Sequence, residues 1–388
     1  MYRNSRLLLI TTVTTALASA TASAHHPGIG GIGGAGGLFT IGAGTLDQGQ
    51  FAGSTFIDYV RLKQLSDTTL LNNIGNDVHG LQSIESRGFT LSAGITNDFM
   101  VLVRFPWVRR TGIREGVEEE VAPLEAPPPA VGEGEAQEAQ GSQEEPSPLR
   151  TVGDRGGTAG FGDMTVLGQY RFLNNFVSGT QGALLFGFKA PTGKTSAVDP
   201  FGELFEAEFQ PGSGSWDGLF GAAFSQRLTS TLSFHTNVLA IATGRGTQDT
   251  NLGNRFLYNA AFAYRLFGET TSASHSHNPL NAYAHAGHRH GPTATIAKQK
   301  RTEASHAHVA LDAFLELNGE WHDKQRTAGI VDPNSGGSTV YVSPGLRLTI
   351  ENWSSYVLVG IPVVNDLNGI QATPSWRLIG GVSVVLGR

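Results

Sequence analysis

The chain contains no cysteine, which excludes disulfides and thiolate metal sites alike. Charged residues are scarce at 15%, and the formal net charge is −6 without a basic stripe. A nucleic-acid partner is thereby excluded. Past the first two dozen residues, no run of 18 consecutive apolar residues occurs, so helical membrane spans are absent. Long helical periodicity is missing, as are a Gly-x-Ser-x-Gly elbow and a His-Glu-x-x-His pair. These absences argue against an exported enzyme, and no catalytic residue is assigned.

What abounds is glycine, 51 residues of 388, among apolar side chains that recur at every second position. Arg3 and Arg6, the apolar stretch Leu7 to Ala18 and the small residues Ala22-Ser23-Ala24 read as a secretory signal over residues 1–24. The mature chain is then expected to begin at His25. Residues 25–50 are glycine-rich and read as a mobile N-terminal segment. Gly28-x-Gly30-x-x-Gly33 spells a dinucleotide fingerprint, but no strand precedes it and no helical pattern follows. Gly187 to Lys194-Thr195 imitates a phosphate loop with one residue too many between the glycines.

From residue 51 onward, twelve alternating segments can be counted. They lie near 51–63, 86–96, 98–107, 160–173, 181–192, 214–227, 230–243, 253–266, 308–321, 337–350, 352–364 and 374–386. Each matches the ~9–11 residues of a tilted membrane-crossing strand, or slightly exceeds it. The alternation is clearest where Val309, Leu311, Ala313, Leu315 and Leu317 oppose Asp312, Glu316, Asn318 and Glu320. The fold class predicted for residues 51–388 is therefore all-β, a transmembrane antiparallel up-and-down barrel of about twelve strands. Very short turns at Asn97-Asp98, Thr229-Ser230 and Glu351-Asn352 alternate with longer connections. Short turns face the periplasm and long loops the exterior, so both termini belong on the periplasmic side of an outer membrane. The insert 267–307 breaks this rule, being long on the short-turn side. Within 108–159, ten Glu and no Lys or Arg fall between Glu115 and Glu145, around Pro127-Pro128-Pro129. That composition predicts an acidic disordered loop.

Several phrases fall at strand ends: Gly160-Phe161-Gly162-Asp163, Ala190-Pro191-Thr192-Gly193, and Pro211-Gly212-Ser213-Gly214-Ser215-Trp216-Asp217. Val342-Ser343-Pro344-Gly345-Leu346 and Ile361-Pro362-Val363 through Leu367-Asn368-Gly369 continue the series. In their order across residues 160–388, they resemble the outer-membrane family named for the MetA pathway of phenol degradation. The resemblance implies a β-barrel channel for aromatic or other small organic compounds, and it carries over no catalytic or ligand residue.

Strand parity points Arg104, Asp163, Arg171, Lys189, Asp217, Arg227, His235, Arg265, Asp312, Glu316, Glu320, Arg347 and Arg377 into the lumen. Charges of both signs either pair into networks that fix the barrel or form rings that select solutes. His235 could also pair with a serine, but it faces inward and away from lipid. Seven further histidines crowd the insert: His275, His277, His285, His288, His290, His306 and His308. Such a tract suggests weak binding of Zn, Cu or Ni, set against a flexible insert with incidental histidines. No other cofactor is implied. The expected partners are outer-membrane lipid, a small solute and the barrel-assembly machinery. Passive passage of small solutes leads the functional expectations, with metal-ion handling and a non-conducting scaffold as alternatives.

Overall fold

Alternation decides which face of each strand meets lipid, and closure decides whether any strand edge is left unpaired. The computed structural model describes residues 38–119, 148–268 and 309–387. Thirteen long strands run in chain order: β1 Phe51–Lys63, β2 Ser83–Thr96, β3 Phe99–Glu119, β4 Leu149–Phe161, β5 Met164–Asn175, β6 Thr180–Ala190 and β7 Asp217–Arg227, followed by β8 Leu232–Thr243, β9 Arg255–Phe267, β10 Val309–His322, β11 Gly337–Ile350, β12 Trp353–Leu367 and β13 Thr373–Leu386. Successive strands pair antiparallel except β4 with β5, and β1 closes the ring on β13 from Phe51↔Leu386 to Lys63↔Thr373. β4 and β5 share one stave: β3 pairs with β5 through Phe99–Arg104 and with β4 through Trp107–Glu119. Twelve staves result, as the alternation predicts, and no edge faces lipid. Closure satisfies the main-chain N–H and C=O groups that hydrocarbon could not.

The outward face is apolar around the ring. Phe89, Leu91, Phe186, Phe220, Phe262, Leu315, Val359 and Trp376 are all exposed. So large a contiguous apolar surface is incompatible with a monomer in water and is the lipid-facing belt of an outer-membrane barrel. The inward face mixes apolar side chains such as Leu102, Leu167, Leu185, Leu239 and Leu257 with buried polar ones.

Two sequence expectations change here. Residues 108–119 and 149–159 are not part of a disordered loop; they are the outer halves of β3 and of the β4/β5 stave. Counting acidic residues across 108–159 merged the strand formers at both ends with the Glu-rich centre. Residues 120–147 lie outside the described residues, as do 1–37 and most of the insert 267–307. The part of the N-terminal segment from Leu38 onward is not a loose tail. Leu38, Phe39, Thr40, Ile41 and Ala43 are buried, because they lie inside the barrel.

Candidate functional site: a plugged lumen with an outer cavity

The segment Leu38–Leu46 crosses the lumen from the β1 end toward the wall opposite. Hydrogen bonds from wall side chains to its main chain hold it. Gln169 on β5 donates to the carbonyls of Gly42 and Gly44 at 3.0 and 2.7 Å. Ser225 on β7 accepts the N–H of Ala43 at 2.9 Å, and Asn237 on β8 accepts that of Ile41 at 2.9 Å. Glu316 on β10 accepts the N–H groups of Leu38, Phe39 and Thr40, together with the Thr40 hydroxyl. Asn318 also donates to Glu316, at 3.1 Å. A buried carboxylate is costly unless several donors surround it, and the plug supplies most of those donors.

Apolar packing seals the rest. Ile41 and Ala43 sit among Leu102, Leu167, Ala183, Leu185, Leu219, Leu239 and Leu257. On the other side, Leu38 and Phe39 pack with Phe314, Leu358 and Ile379. The Arg377 guanidinium lies 4.5 Å from the centre of the Phe39 ring and holds Asp58 of β1 through two bonds of 2.8 and 2.6 Å. The plug therefore forms an apolar layer across the bore.

Outside that layer lies a cavity of about 90 Å³, open to solvent. Leu219 and Ile241 form its apolar floor, and Arg104, Arg110, Lys189 and Arg255 contribute charge to its walls. The glycine- and serine-rich phrases meet on one wall. Asp163 accepts the N–H of Gly193 at 2.9 Å and both the N–H and hydroxyl of Ser213 at 2.8 and 2.6 Å. Lys189 reaches Asp217 at 2.6 Å and Ser213 Oγ at 2.6 Å, and Ser215 donates to Asp217 at 2.7 Å. Gly193 and Gly212 pass so closely that a Cβ on either would stand 2.6 Å from the other's backbone. Glycine is required there by space. Residues 205–210 roof the cavity edge: Arg110 donates to the carbonyls of Phe209 and Gln210.

Below the plug, toward the periplasm, the bore is polar and lined by Gln181, Ser225, Arg227, Ser233 and His235. His235 lies between two serines, with Nδ1 2.9 Å from Ser225 Oγ and Nε2 2.9 Å from Ser233 Oγ. In a hydrolytic triad the second ring nitrogen would face a carboxylate. Here Ser233 takes that place, and Ser225 already accepts the plug's Ala43 N–H.

The residues chosen by parity occupy several separate groups, not one ring. Asp163, Lys189 and Asp217 form the outer knot. Arg255 bonds Glu320 at 2.6 Å near the outer rim. Arg265 and Arg347 both grip Asp312 on the periplasmic side. Arg171 and Arg227 tie down periplasmic turns, the first at Asp98 and Asn97 and the second at the carbonyls of Phe176 and Val177. Glu316 and Arg377 serve the plug, and Arg104 lies 3.6 Å from the centre of the Phe56 ring. Histidines 275, 277, 285, 288, 290, 306 and 308 lie outside the described residues. Sequence reasoning missed Asp58, Gln169, Ser225, Asn237 and the plug itself. Parity in the first segment would have turned Asp58 inward with Phe56, had its register been settled.

The barrel is similar to the crystal structure of an outer-membrane channel from Pseudomonas putida F1, with a TM-score of 0.51 at 11% identity over 89% of this chain and 98% of that one. Weaker likenesses are to a Pseudomonas aeruginosa FadL homologue (TM-score 0.40, 9% identity, 94% and 99% covered) and to the Ralstonia pickettii toluene transporter TbuX (TM-score 0.36, 10% identity, 92% and 98% covered). No curated protein matches the chain. Residues 129–277 match the model of the family of the MetA pathway of phenol degradation. The phrases at 342–346 and 361–369 fall beyond that match. That match covers less than half of the chain, and it is the part that carries the Asp163–Ser213 knot.

Proposed function

We propose that the protein is a gated outer-membrane channel for small solutes, aromatic and other partly apolar organic compounds among them. The carrying observation is the position of Leu38–Leu46, which separates an outer cavity with an apolar floor from a polar periplasmic bore. A solute with an apolar body and a polar edge suits the outer cavity, where Leu219 and Ile241 meet Lys189 and Arg255. Movement is down the gradient and follows displacement of the plug. The family match and the named function of the Pseudomonas putida neighbour support a channel. No enzymatic role is assigned, since His235 has a serine where a triad would place its carboxylate.

The test is single-channel recording in planar bilayers, comparing the intact mature chain with a variant lacking residues 38–46. The intact chain is expected to show small or rare steps and the variant large, sustained ones. A folded variant that stays silent would overturn the channel. Liposome uptake of phenol set against a sugar of similar size then tests the solute class, with phenol expected to enter faster.

A further inference from the structure

At the outer mouth, away from the plug, two segments bring an imidazole and two carboxylates together. His79 sits in the connection 64–82, while Glu206 and Glu208 come from the connection 191–216. One ligand atom from each lies within 4.8 Å of the other two. His79 Nε2 is 3.7 Å from Glu206 Oε1 and 3.1 Å from Glu115 Oε2 at the outer end of β3. The ring of His79 is fixed edge-on by Phe209, with centroids 5.1 Å apart.

Glu208 is only 8% exposed, yet it has no hydrogen-bond or ion-pair partner among the described residues. Its side chain faces His79 and Glu206. Glu115 already divides itself between His79 and Arg155, 3.2 Å away. Arg110, the cation nearest Glu208 in the wall, gives its hydrogen bonds to the carbonyls of Phe209 and Gln210. Asp77 and Asp332 add negative charge nearby. A buried carboxylate without donors is costly, and here the shortfall is positive charge.

We infer that His79, Glu206 and Glu208 form a site for a divalent transition-metal ion of the Zn²⁺ class at the extracellular mouth. One imidazole nitrogen with carboxylate oxygens suits Zn²⁺, Co²⁺ or Ni²⁺, whereas Ca²⁺ and Mg²⁺ take oxygen ligands throughout. Bonds of about 2.0–2.2 Å require the three ligand atoms to draw together slightly. Glu206, at the exposed edge of the cluster, gives the ion its entry. Glu115 is placed to complete the coordination or to orient His79. A bound ion would join connection 64–82 to the 205–210 roof and hold the cavity's outer edge shut.

The test uses the full mature chain, stripped with chelator, and Zn²⁺ alone as probe. In crystals soaked with ZnCl₂, anomalous maps at the zinc edge should show a peak bonded to His79, Glu206 and Glu208. Calorimetric titration in detergent should lose one zinc equivalent in Glu208→Gln and in His79→Asn, or show it weakened at least about tenfold. Zinc density confined to other histidines, or equal stoichiometry and affinity in all three proteins, would overturn the site. Should His79→Asn fail to give the heat-modifiable band of a folded barrel, Glu206→Gln replaces it, with the same two outcomes.

Discussion

Thr40 donates both its backbone N–H, at 3.0 Å, and its hydroxyl, at 2.9 Å, to the same oxygen of Glu316. With the N–H groups of Leu38 and Phe39 on the same carboxylate, that residue is the main latch of the plug. Hydrogen bonds to a charged acceptor contribute about 1.5–3 kcal/mol each. Glu316→Ala is expected to keep the barrel folded and to shift the open-to-closed ratio by roughly a hundredfold, since about 3 kcal/mol moves an equilibrium that far. Single-channel open probability measures it, and unchanged closure would show that the apolar packing of Ile41 and Ala43, with the bonds from Gln169, Ser225 and Asn237, suffices without Glu316.

Asp58 and Arg377 form a two-bonded pair between β1 and β13, with side chains only 5% and 8% exposed. Removing one partner strands the other in a buried site. Asp58→Asn should cost about 3–5 kcal/mol, while replacing both residues by leucine and methionine should cost much less. Urea unfolding in lipid vesicles, followed by tryptophan fluorescence, separates the two cases.

Depth in the membrane supplies a third check. Leu315 lies mid-strand on the outward face of β10, and Leu386 lies at the end of β13; both are exposed. Leu315→Arg should destabilise by about 2–4 kcal/mol and Leu386→Arg by about 0–1 kcal/mol. Equal costs would contradict the lipid belt as drawn.

The outer cluster should loosen as pH rises when chelator is present. His79 and Glu208 both have folded pKa values above their ordinary ones, about 9 against 6.5 and about 8 against 4.5. Each therefore contributes its stability fully below its ordinary pKa and loses it as pH climbs through the folded value. The groups facing them are Glu115, Glu206, Asp77, Asp332 and Arg110. Proteolysis of the connection 64–82 is expected to speed up between pH 6 and pH 9. A constant rate would mean that the cluster does not hold that connection.

The barrel was readable because lipid imposes period two on every stave, and segments such as 309–317 show it without interruption. The outer halves of β3 and β4 were not, because they rise above the membrane and flank a stretch whose acidic composition dominates any window around them. The plug left even less trace. Gln169, Ser225 and Asn237 bind its main chain, so Gly42 and Ala43 need no distinctive side chain to be recognised. The metal cluster was hidden for another reason: His79 and Glu208 come from distant connections, and no local spacing links them. Even the family phrases revealed their purpose only in three dimensions, where Asp163 gathers Gly193 and Ser213.

A latch that, the Thr40 hydroxyl aside, grips only peptide groups has an evolutionary corollary. Glu316, Asn237, Ser225 and Gln169 can go on holding residues 38–44 while side chains in that stretch drift. Bulk at Ile41 can thus be traded from one descendant to the next without rebuilding the wall. The bore can be retuned by mutating the stopper alone, which makes a single short stretch of chain the cheapest place for lineages facing different solutes to diverge.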